Sequence, residues 1–198
     1  MAALPEEWEG ARARLIVPVA GEVGEDWAAR DPEGGAGPGT FVGIGWQGML
    51  REFDSDGRVL RADPHPSALL GAASLVVASL DDLGCAVALD GLQAMAPRAT
   101  IVLTAGQGGG VAFGNGAVRR YAALPAARTV DATGAGDVFL AALTVAWLLS
   151  GQLATAGTLR FAAAAASCSV EGPGLAGIPT KAQVAARLRH AASPQGDA

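Results

Sequence analysis

Short apolar runs recur along the first half of the chain, at residues 14–19, 40–44, 75–78 and 100–104. Most of them are continuously apolar, as expected for central strands of a parallel sheet that is covered on both faces. Segments with helix potential, at residues 66–73 and 81–96, separate some of these runs. This alternation is the β-α-β rhythm of an α/β protein.

The pattern changes after Thr104. Residues 110–113 and 117–121 flank a Gly-Asn-Gly turn, which predicts a β-hairpin. From Gly134 onward the apolar pattern predicts helices at about 135–150, 155–169 and 180–192, with Thr180 as the N-cap of the last one. Residues 31–39 are rich in glycine and proline and predict a loop. The whole pattern predicts a three-layer α/β/α sandwich with a mainly parallel sheet, formed by a single domain over residues 1–198 with its core at about 14–190.

Composition narrows the function classes. The net charge is −5 and no basic stripe is present, which argues against a nucleic-acid partner. The charge-free segment 138–159 is strongly apolar only as far as Leu149, too short for a membrane span of about 20 residues. The acidic N-terminus has no apolar segment typical of a secretory signal. Cys85 and Cys168 lie in apolar surroundings and are predicted to be buried free thiols, consistent with a cytoplasmic protein.

The most informative stretch is residues 129–139, which read Thr-Val-Asp-Ala-Thr-Gly-Ala-Gly-Asp-Val-Phe. The backbone amides of Gly134, Ala135, Gly136 and Asp137 are expected at the start of a long helix, where the amides and the helix dipole favour an anion. An acid at this point would repel a bound phosphate, but it makes sense if it accepts a proton during the reaction. The alternative is an ordinary glycine turn with an aspartate that caps the helix.

This stretch resembles the C-terminal signature of the PfkB/ribokinase family of small-molecule kinases, usually written D-T-x-G-A-G-D-x-F, with the threonine displaced by one place to Thr133. The resemblance implies a ribokinase-like fold and an ATP-dependent kinase that phosphorylates a sugar or polyol. It also implies that Asp137 is the base that activates the acceptor hydroxyl, while the amides of residues 134–136 hold the transferred phosphoryl group. Thr133 is expected to contact the nucleotide.

Other segments extend the resemblance. Residues 104–109 are similar to the family's T-x-G-x-x-G turn, so Thr104, Gly106 and Gly108 are expected to contact nucleotide phosphates, although a simple hairpin turn would have the same residues. Residues 162–180 are similar to the family's C-terminal region, which flanks adenine and shapes a site for a monovalent cation such as K⁺. Residues 17–23, 47–51 and 79–83 resemble a subgroup that includes archaeal myo-inositol kinases.

Residues 79–82 stand where the family has N-x-x-E, the motif that organises the waters around Mg²⁺. Serine replaces asparagine and aspartate replaces glutamate, so Asp82 is expected to hold a metal-bound water with a side chain one methylene shorter. Capping of a helix by Ser79 is the other interpretation, and both can hold together. Arg51 either faces the substrate or the transferring phosphate, or is solvated and paired with Glu52 or Asp54.

The resemblance covers most of residues 15–188 and corresponds to about the last two thirds of a full kinase. The family's opening strands, β-lid, G-G-x-x-x-N signature and sugar-gripping aspartate have no counterpart here, which suggests a truncated product, a misplaced start or a short paralogue. Exposed sheet edges are then expected to favour association, for example as a homodimer. Two hypotheses follow: a kinase, or a nucleotide-binding module that does not turn over by itself.

Overall fold

The computed structural model describes residues 10–29, 40–84 and 88–191. The strands are β1 (Ala13–Ile16), β2 (Phe41–Gly45), β3 (Arg51–Phe53), β4 (Val59–Arg61), β5 (Leu75–Ser79), β6 (Thr100–Thr104), β7 (Gly110–Gly114) and β8 (Ala117–Tyr121). The α-helices are α1 (Asp26–Ala29), α2 (Ala68–Ala72), α3 (Leu80–Leu83), α4 (Leu89–Met95), α5 (Ala135–Ser150), α6 (Ala156–Ser169) and α7 (Lys181–His190).

The central sheet has the strand order β1-β2-β5-β6-β7-β8. β1, β2 and β5 run parallel, in a register that places Ile16 opposite Ile44 and Ile44 opposite Val76. Every residue of β2 is buried, which is why its sequence is continuously apolar rather than alternating. The predicted α/β class with a mainly parallel sheet is confirmed.

The helices before and after β5 are shorter than the segments of helix potential in the sequence. The segment with helix potential at residues 81–96 is not one continuous helix, because α3 ends at Leu83, the φ of 68° at Gly84 leaves the helical region, and α4 begins at Leu89. Residues 85–87, including Cys85, lie outside the described part of the chain. The helix expected at 66–73 is reduced to α2, which begins after Ser67 because the Ser67 hydroxyl accepts the Leu70 N–H at 3.1 Å.

A two-stranded antiparallel hairpin, β3–β4, was not predicted. Its turn is held by Asp54, whose Oδ1 accepts the N–H groups of Asp56 at 2.9 Å and Arg58 at 2.8 Å. Its Phe53, Val59 and Leu60 side chains are exposed. Neither strand has a buried face, so the sequence lacks the alternation of apolar and polar residues by which a half-buried strand is recognised.

The three C-terminal helices agree with the predicted ones to within two residues at each described end. Thr155 caps α6 by accepting the Thr158 N–H at 3.2 Å. Thr180 caps α7, as predicted, in a capping box with Gln183. Cys168 on α6 is a buried free thiol, as expected.

The chain separates into two compact units. The first comprises the described residues up to Leu103 together with Phe113–Ala117, and its core is formed by the apolar side chains of β2, β5 and β6 with Trp46 and Leu50. The second comprises Thr104–Ala112 and the described residues from Val118 onward, and in it α5 packs on the alanine-rich face of α6. Among the described helices, none has the length and apolar character that crossing a bilayer requires.

Candidate active site

The first turn of α5 is shaped by a glycine at the N-cap position. Gly134 has φ 77° and ψ 0°, a left-handed conformation that only glycine adopts without strain, and α5 begins directly after it at Ala135. No side chain caps this helix end. The turn therefore presents backbone groups, rather than a capping side chain, at the positive end of the helix dipole.

The amides of this turn are largely available to a ligand. Within the described ranges, the N–H groups of Gly134, Gly136 and Asp137 have no hydrogen-bond acceptor, whereas the Ala135 N–H donates to the Ala132 carbonyl at 3.2 Å. The α-helical ladder itself starts when the Val138 N–H donates to the Gly134 carbonyl at 2.9 Å. Unpaired amides at a helix N-terminus form an anion-binding site, so the turn suits a phosphate.

The Asp137 carboxylate lies beside these amides. Its Oδ2 is 4.0 Å from the point where a Cβ on Gly134 would lie, so the side chain folds back over the turn. The side chain is exposed, yet the surrounding chain removes enough water for burial to raise the pKa of Asp137 above its ordinary value. A carboxylate whose pKa is raised is a better proton acceptor, as a general base requires.

Asp131 holds the segment that leads into the turn, a role that sequence reasoning did not assign. Its Oδ1 accepts the Thr133 N–H at 2.9 Å and its Oδ2 accepts the Gly174 N–H at 3.0 Å. The Thr133 N–H and hydroxyl, followed by the Gly174 N–H, lower the pKa of Asp131. The bond to Thr133 follows the local Asx-turn pattern and was readable from the sequence, whereas the bond to Gly174 joins residues far apart in the chain. The Thr133 side chain is exposed next to Gly134.

The second glycine turn follows β6. Ala105 and Gly109 close it, because the Ala105 N–H donates to the Gly109 carbonyl at 2.8 Å, and residues Gly106–Gly108 form a short 3₁₀ helix between them. The N–H groups of Gly106 and Gln107 have no acceptor in the described part of the chain. Gly106 and Gly108 are exposed, but the Gly108 N–H donates to the Ala105 carbonyl at 2.8 Å, so the amides that this turn could offer to a ligand are those of Gly106 and Gln107.

Tyr121 connects the two turns within the second unit. A Cβ on Gly109 would overlap the Tyr121 carbonyl oxygen, so glycine is required where the turn after β6 meets β8. The Tyr121 ring in turn stacks on Phe139, with ring centroids 5.5 Å apart. Phe139 is two residues beyond Asp137 on α5, and its burial fixes the ring against the core. Sequence reasoning did not single out Tyr121, because no local motif marks a stacking contact.

Asp82 belongs to the first unit. The Ser79 hydroxyl caps α3 by accepting the Asp81 N–H at 3.2 Å, as one of the two interpretations predicted. Arg51 donates to Asp82 Oδ1 at 3.2 Å, so the interpretation that pairs Arg51 with Glu52 or Asp54 is wrong, whereas the one in which Arg51 faces the substrate stays a prediction. The reason is the unpredicted hairpin, which brings Arg51 at the start of β3 to α3.

The described residues contain no group of three or more His, Cys, Asp or Glu side chains that could hold a metal ion. Asp82 is already neutralised by Arg51, and its side chain is only 18% exposed. Asp82 thus already has a cationic partner, and its role towards a metal-bound water stays a prediction.

Residues 63–181 match the family model described as pfkB family carbohydrate kinase. A search of curated proteins found no match. Among solved structures, the chain is similar to an Arabidopsis thaliana ribokinase complexed with ribose and ATP, with 22% identity and a TM-score of 0.66 over 91% of this chain and 57% of that one. It is also similar to a Methanocaldococcus jannaschii nucleoside kinase (18% identity, TM-score 0.67, 90% and 56% covered) and to a Burkholderia thailandensis nucleoside kinase in complex with inosine (19%, 0.66, 92% and 57%).

These likenesses establish a ribokinase-like α/β fold. The chain spans 56–57% of the length of these three structures. The myo-inositol kinase subgroup suggested by residues 17–23, 47–51 and 79–83 is not distinguished by these matches.

Proposed function

Because the chain belongs to the pfkB family of carbohydrate kinases, we propose that it carries the nucleotide-binding and catalytic half of an ATP-dependent kinase acting on a hydroxyl group of a sugar or polyol. The observation that carries the proposal is the first turn of α5. Three amides without acceptors lie there beside one carboxylate whose pKa is raised by burial. A turn that only bound anions would gain nothing from that carboxylate.

In the proposed reaction, Asp137 accepts the proton of the acceptor hydroxyl as its oxygen attacks the γ-phosphorus of ATP. The bond between that phosphorus and the bridging oxygen breaks, and ADP leaves. The amides of Gly134, Gly136 and Asp137 stabilise the charge on the transferred group, because they are already oriented before it arrives. Thr104, Gly106, Gly108 and Thr133 are proposed to contact the nucleotide.

ATP is supported as the phosphoryl donor by the family and by the ATP-bound ribokinase neighbour. Phosphoryl transfer generally uses ATP together with Mg²⁺, which neutralises the phosphate oxygens. The described residues provide no ligand set for a protein-held metal, so no step is assigned to one, and K⁺ stays a prediction. The ribose and inosine bound to the neighbours support sugar-type hydroxyl groups as acceptors.

A second candidate function is nucleotide binding without turnover. Its support is the set of amides in the two glycine turns that have no acceptor among the described residues, since they would bind phosphate groups whether or not a hydroxyl is phosphorylated. The two functions separate in one assay: ATP binding by calorimetry together with ADP release across a panel of ribose, inosine and polyols. Binding without acceptor-dependent ADP release with any acceptor would favour the module over the kinase.

Asp137→Asn tests the proposed base. We expect the variant to bind ATP as well as the wild type or slightly better, because a negative charge beside the phosphates is removed. Turnover is expected to fall by about 10²–10⁴ through loss of the general base. Asp137 must be ionised to accept a proton, and its pKa is raised. When the pH is lowered, the wild-type rate should therefore begin to fall at a higher pH than it would with an aspartate of ordinary pKa. Unchanged turnover in Asp137→Asn would refute the role of this residue as the general base.

A further inference from the structure

The segment between β8 and α5 contains no helix or strand, although it carries the turn that is proposed to bind phosphate. Its conformation is therefore set by contacts with other parts of the second unit. At its C-terminal end, the N–H groups of Val130 and Asp131 both donate to the Val170 carbonyl, at 2.7 and 3.2 Å. The bonds of Asp131 to Thr133 and Gly174 extend this attachment to the residue before Gly134.

The N-terminal end of the same segment is held by an ion pair between Glu171, just beyond α6, and Arg187 on α7. Glu171 Oε1 accepts both the Arg187 guanidinium and the Ala127 N–H, the latter at 2.6 Å. Arg187 Nη1 also donates to the Pro125 carbonyl at 2.6 Å and to the Ser167 hydroxyl at 2.9 Å. The pair thus joins α6 and α7 to two backbone positions of the segment.

Both partners are held firmly enough to act as a fixed support. Their side chains are only 16% (Arg187) and 27% (Glu171) exposed. Burial by itself would raise the pKa of Glu171, but the Ala127 N–H and the Arg187 and Arg128 guanidinium groups outweigh it and lower the pKa, so the carboxylate stays charged. Arg128 adds a bond from its Nε to the Glu171 carbonyl at 3.2 Å.

We propose that the Glu171–Arg187 pair positions the phosphate-binding turn from the C-terminal helices, by fixing residues 125–131 and through them the left-handed Gly134. This inference rests on the proposed function, since it assigns the pair an effect on phosphate binding at that turn. Glu171 and Arg187 are positioning residues, and the turn rather than the pair contacts the ligand.

The physical basis is the short distance along the chain. Nearly every second residue before Gly134 has its backbone held by a hydrogen bond, at Pro125, Ala127, Val130, Asp131 and Thr133. Loss of the bonds to Pro125 and Ala127 would let the start of the segment move. That movement would disturb the amides of Gly134 and Gly136, which must converge on one phosphate. Small errors in such geometry weaken binding disproportionately.

The test compares Glu171→Gln and Arg187→Met with a matched control, Arg160→Met. Arg160 lies on α6 and donates to the Leu188 carbonyl of α7 at 3.3 Å, so it joins the same two helices but is not bonded to residues 125–131. Affinities for ATP and for adenosine are measured by calorimetry on the full chain, and the backbone amide shifts of Gly134 and Gly136 are recorded by NMR.

We expect Glu171→Gln and Arg187→Met to weaken ATP binding by roughly ten- to a hundredfold with little change for adenosine, because only the phosphate contacts are misaligned. The amide shifts of Gly134 and Gly136 should move in the same variants. Arg160→Met should change ATP affinity by less than about twofold and leave those shifts in place. The double variant should be no worse than the poorer single one, since both remove the same support.

Two results would overturn the inference. One is equal loss of ATP and adenosine affinity in the pair variants, which indicates a general structural role. The other is ATP affinity and turn shifts that match those of Arg160→Met. If Arg187→Met does not fold, Glu171→Gln keeps the side-chain shape and decides the question. A wild-type chain that binds no ATP would instead refute the proposed function, so the two failures are distinguishable.

Discussion

Glycine occurs at positions 134 and 136, at the start of α5, for different physical reasons. Gly134 is required by the backbone, because its φ of 77° is strained for any residue with a Cβ. Gly136 is not, since its φ is not in the left-handed region and a Cβ there would meet nothing within 4 Å. The protein alone does not need a glycine at 136, so the proposed reason for it is the approach of a ligand to the amides.

Replacing each of these glycines by alanine should affect stability and ATP affinity differently. Gly136→Ala should leave stability unchanged or raise it by up to about 0.5–1 kcal/mol, because alanine is the better helix former. ATP affinity should nevertheless fall by at least about tenfold, because the methyl group lies beside amides that would make charge-assisted bonds to phosphate. Gly134→Ala should instead lower stability, by roughly 1–2 kcal/mol. Thermal unfolding with and without ATP measures both effects, and undiminished ATP affinity in Gly136→Ala would contradict a phosphate site at this turn.

At the scale of elements, helix ends rather than helix interiors hold the candidate site in position. α5 supplies its first turn, and the C-terminal end of α6 supplies the Val170 carbonyl and Glu171. α7 contributes Arg187 from its last turn, and its own first turn is secured by Thr180. The ends of these helices thus anchor the irregular segment between β8 and α5.

Thr180→Ala tests how far α7 depends on its cap. The threonine hydroxyl accepts the Gln183 N–H at 3.3 Å, while Gln183 Oε1 accepts the Thr180 N–H at 2.7 Å. Loss of the hydroxyl should lower stability by about 1 kcal/mol, and Thr180→Ser, which keeps the oxygen, should lose much less. For a chain of this size the midpoint of thermal unfolding should fall by about 2–4 °C for each kcal/mol. An alanine variant as stable as the wild type would show that the capping box does not contribute.

At the scale of the whole molecule, all proposed phosphate contacts fall within one compact unit. The turns at residues 104–109 and 134–137 both belong to the second unit, whereas Asp82 belongs to the first. Contacts through Tyr121 link the two turns, and this link supports the proposal that both bind one nucleotide.

A shared nucleotide predicts a specific protection pattern in hydrogen exchange. With ATP in excess, amides of both glycine turns should exchange more slowly, and a ligand at a hundred times its Kd should stabilise the chain by about 2.7 kcal/mol. The turn of the β3–β4 hairpin, which has no proposed ligand contact, is the internal control. Protection of only one of the two glycine turns would refute the shared site.

Much of this arrangement could be predicted from the sequence. Continuous apolar runs indicated buried parallel strands, and the positions of α5, α6 and α7 followed from periodicity and a cap at Thr180. The α5 turn was recognisable because a phosphate site at a helix start needs small residues in consecutive positions, and that requirement is local. The hairpin and the break after α3 were missed because exposed short strands and a single glycine leave a weak periodic signal.

The long-range partners could be identified only from the folded chain. Asp131 with Gly174, Arg51 with Asp82, and Glu171 with Arg187 are separated by 43, 31 and 16 residues. No local pattern specifies such pairs, since each depends on where packed elements bring two side chains. The amino-acid sequence alone identified the turn at residues 134–137 as the candidate for phosphate binding, because the small residues that such a site needs are adjacent in the chain. The fold determined which distant residues hold the turn in place, because their proximity exists only after the helices have packed.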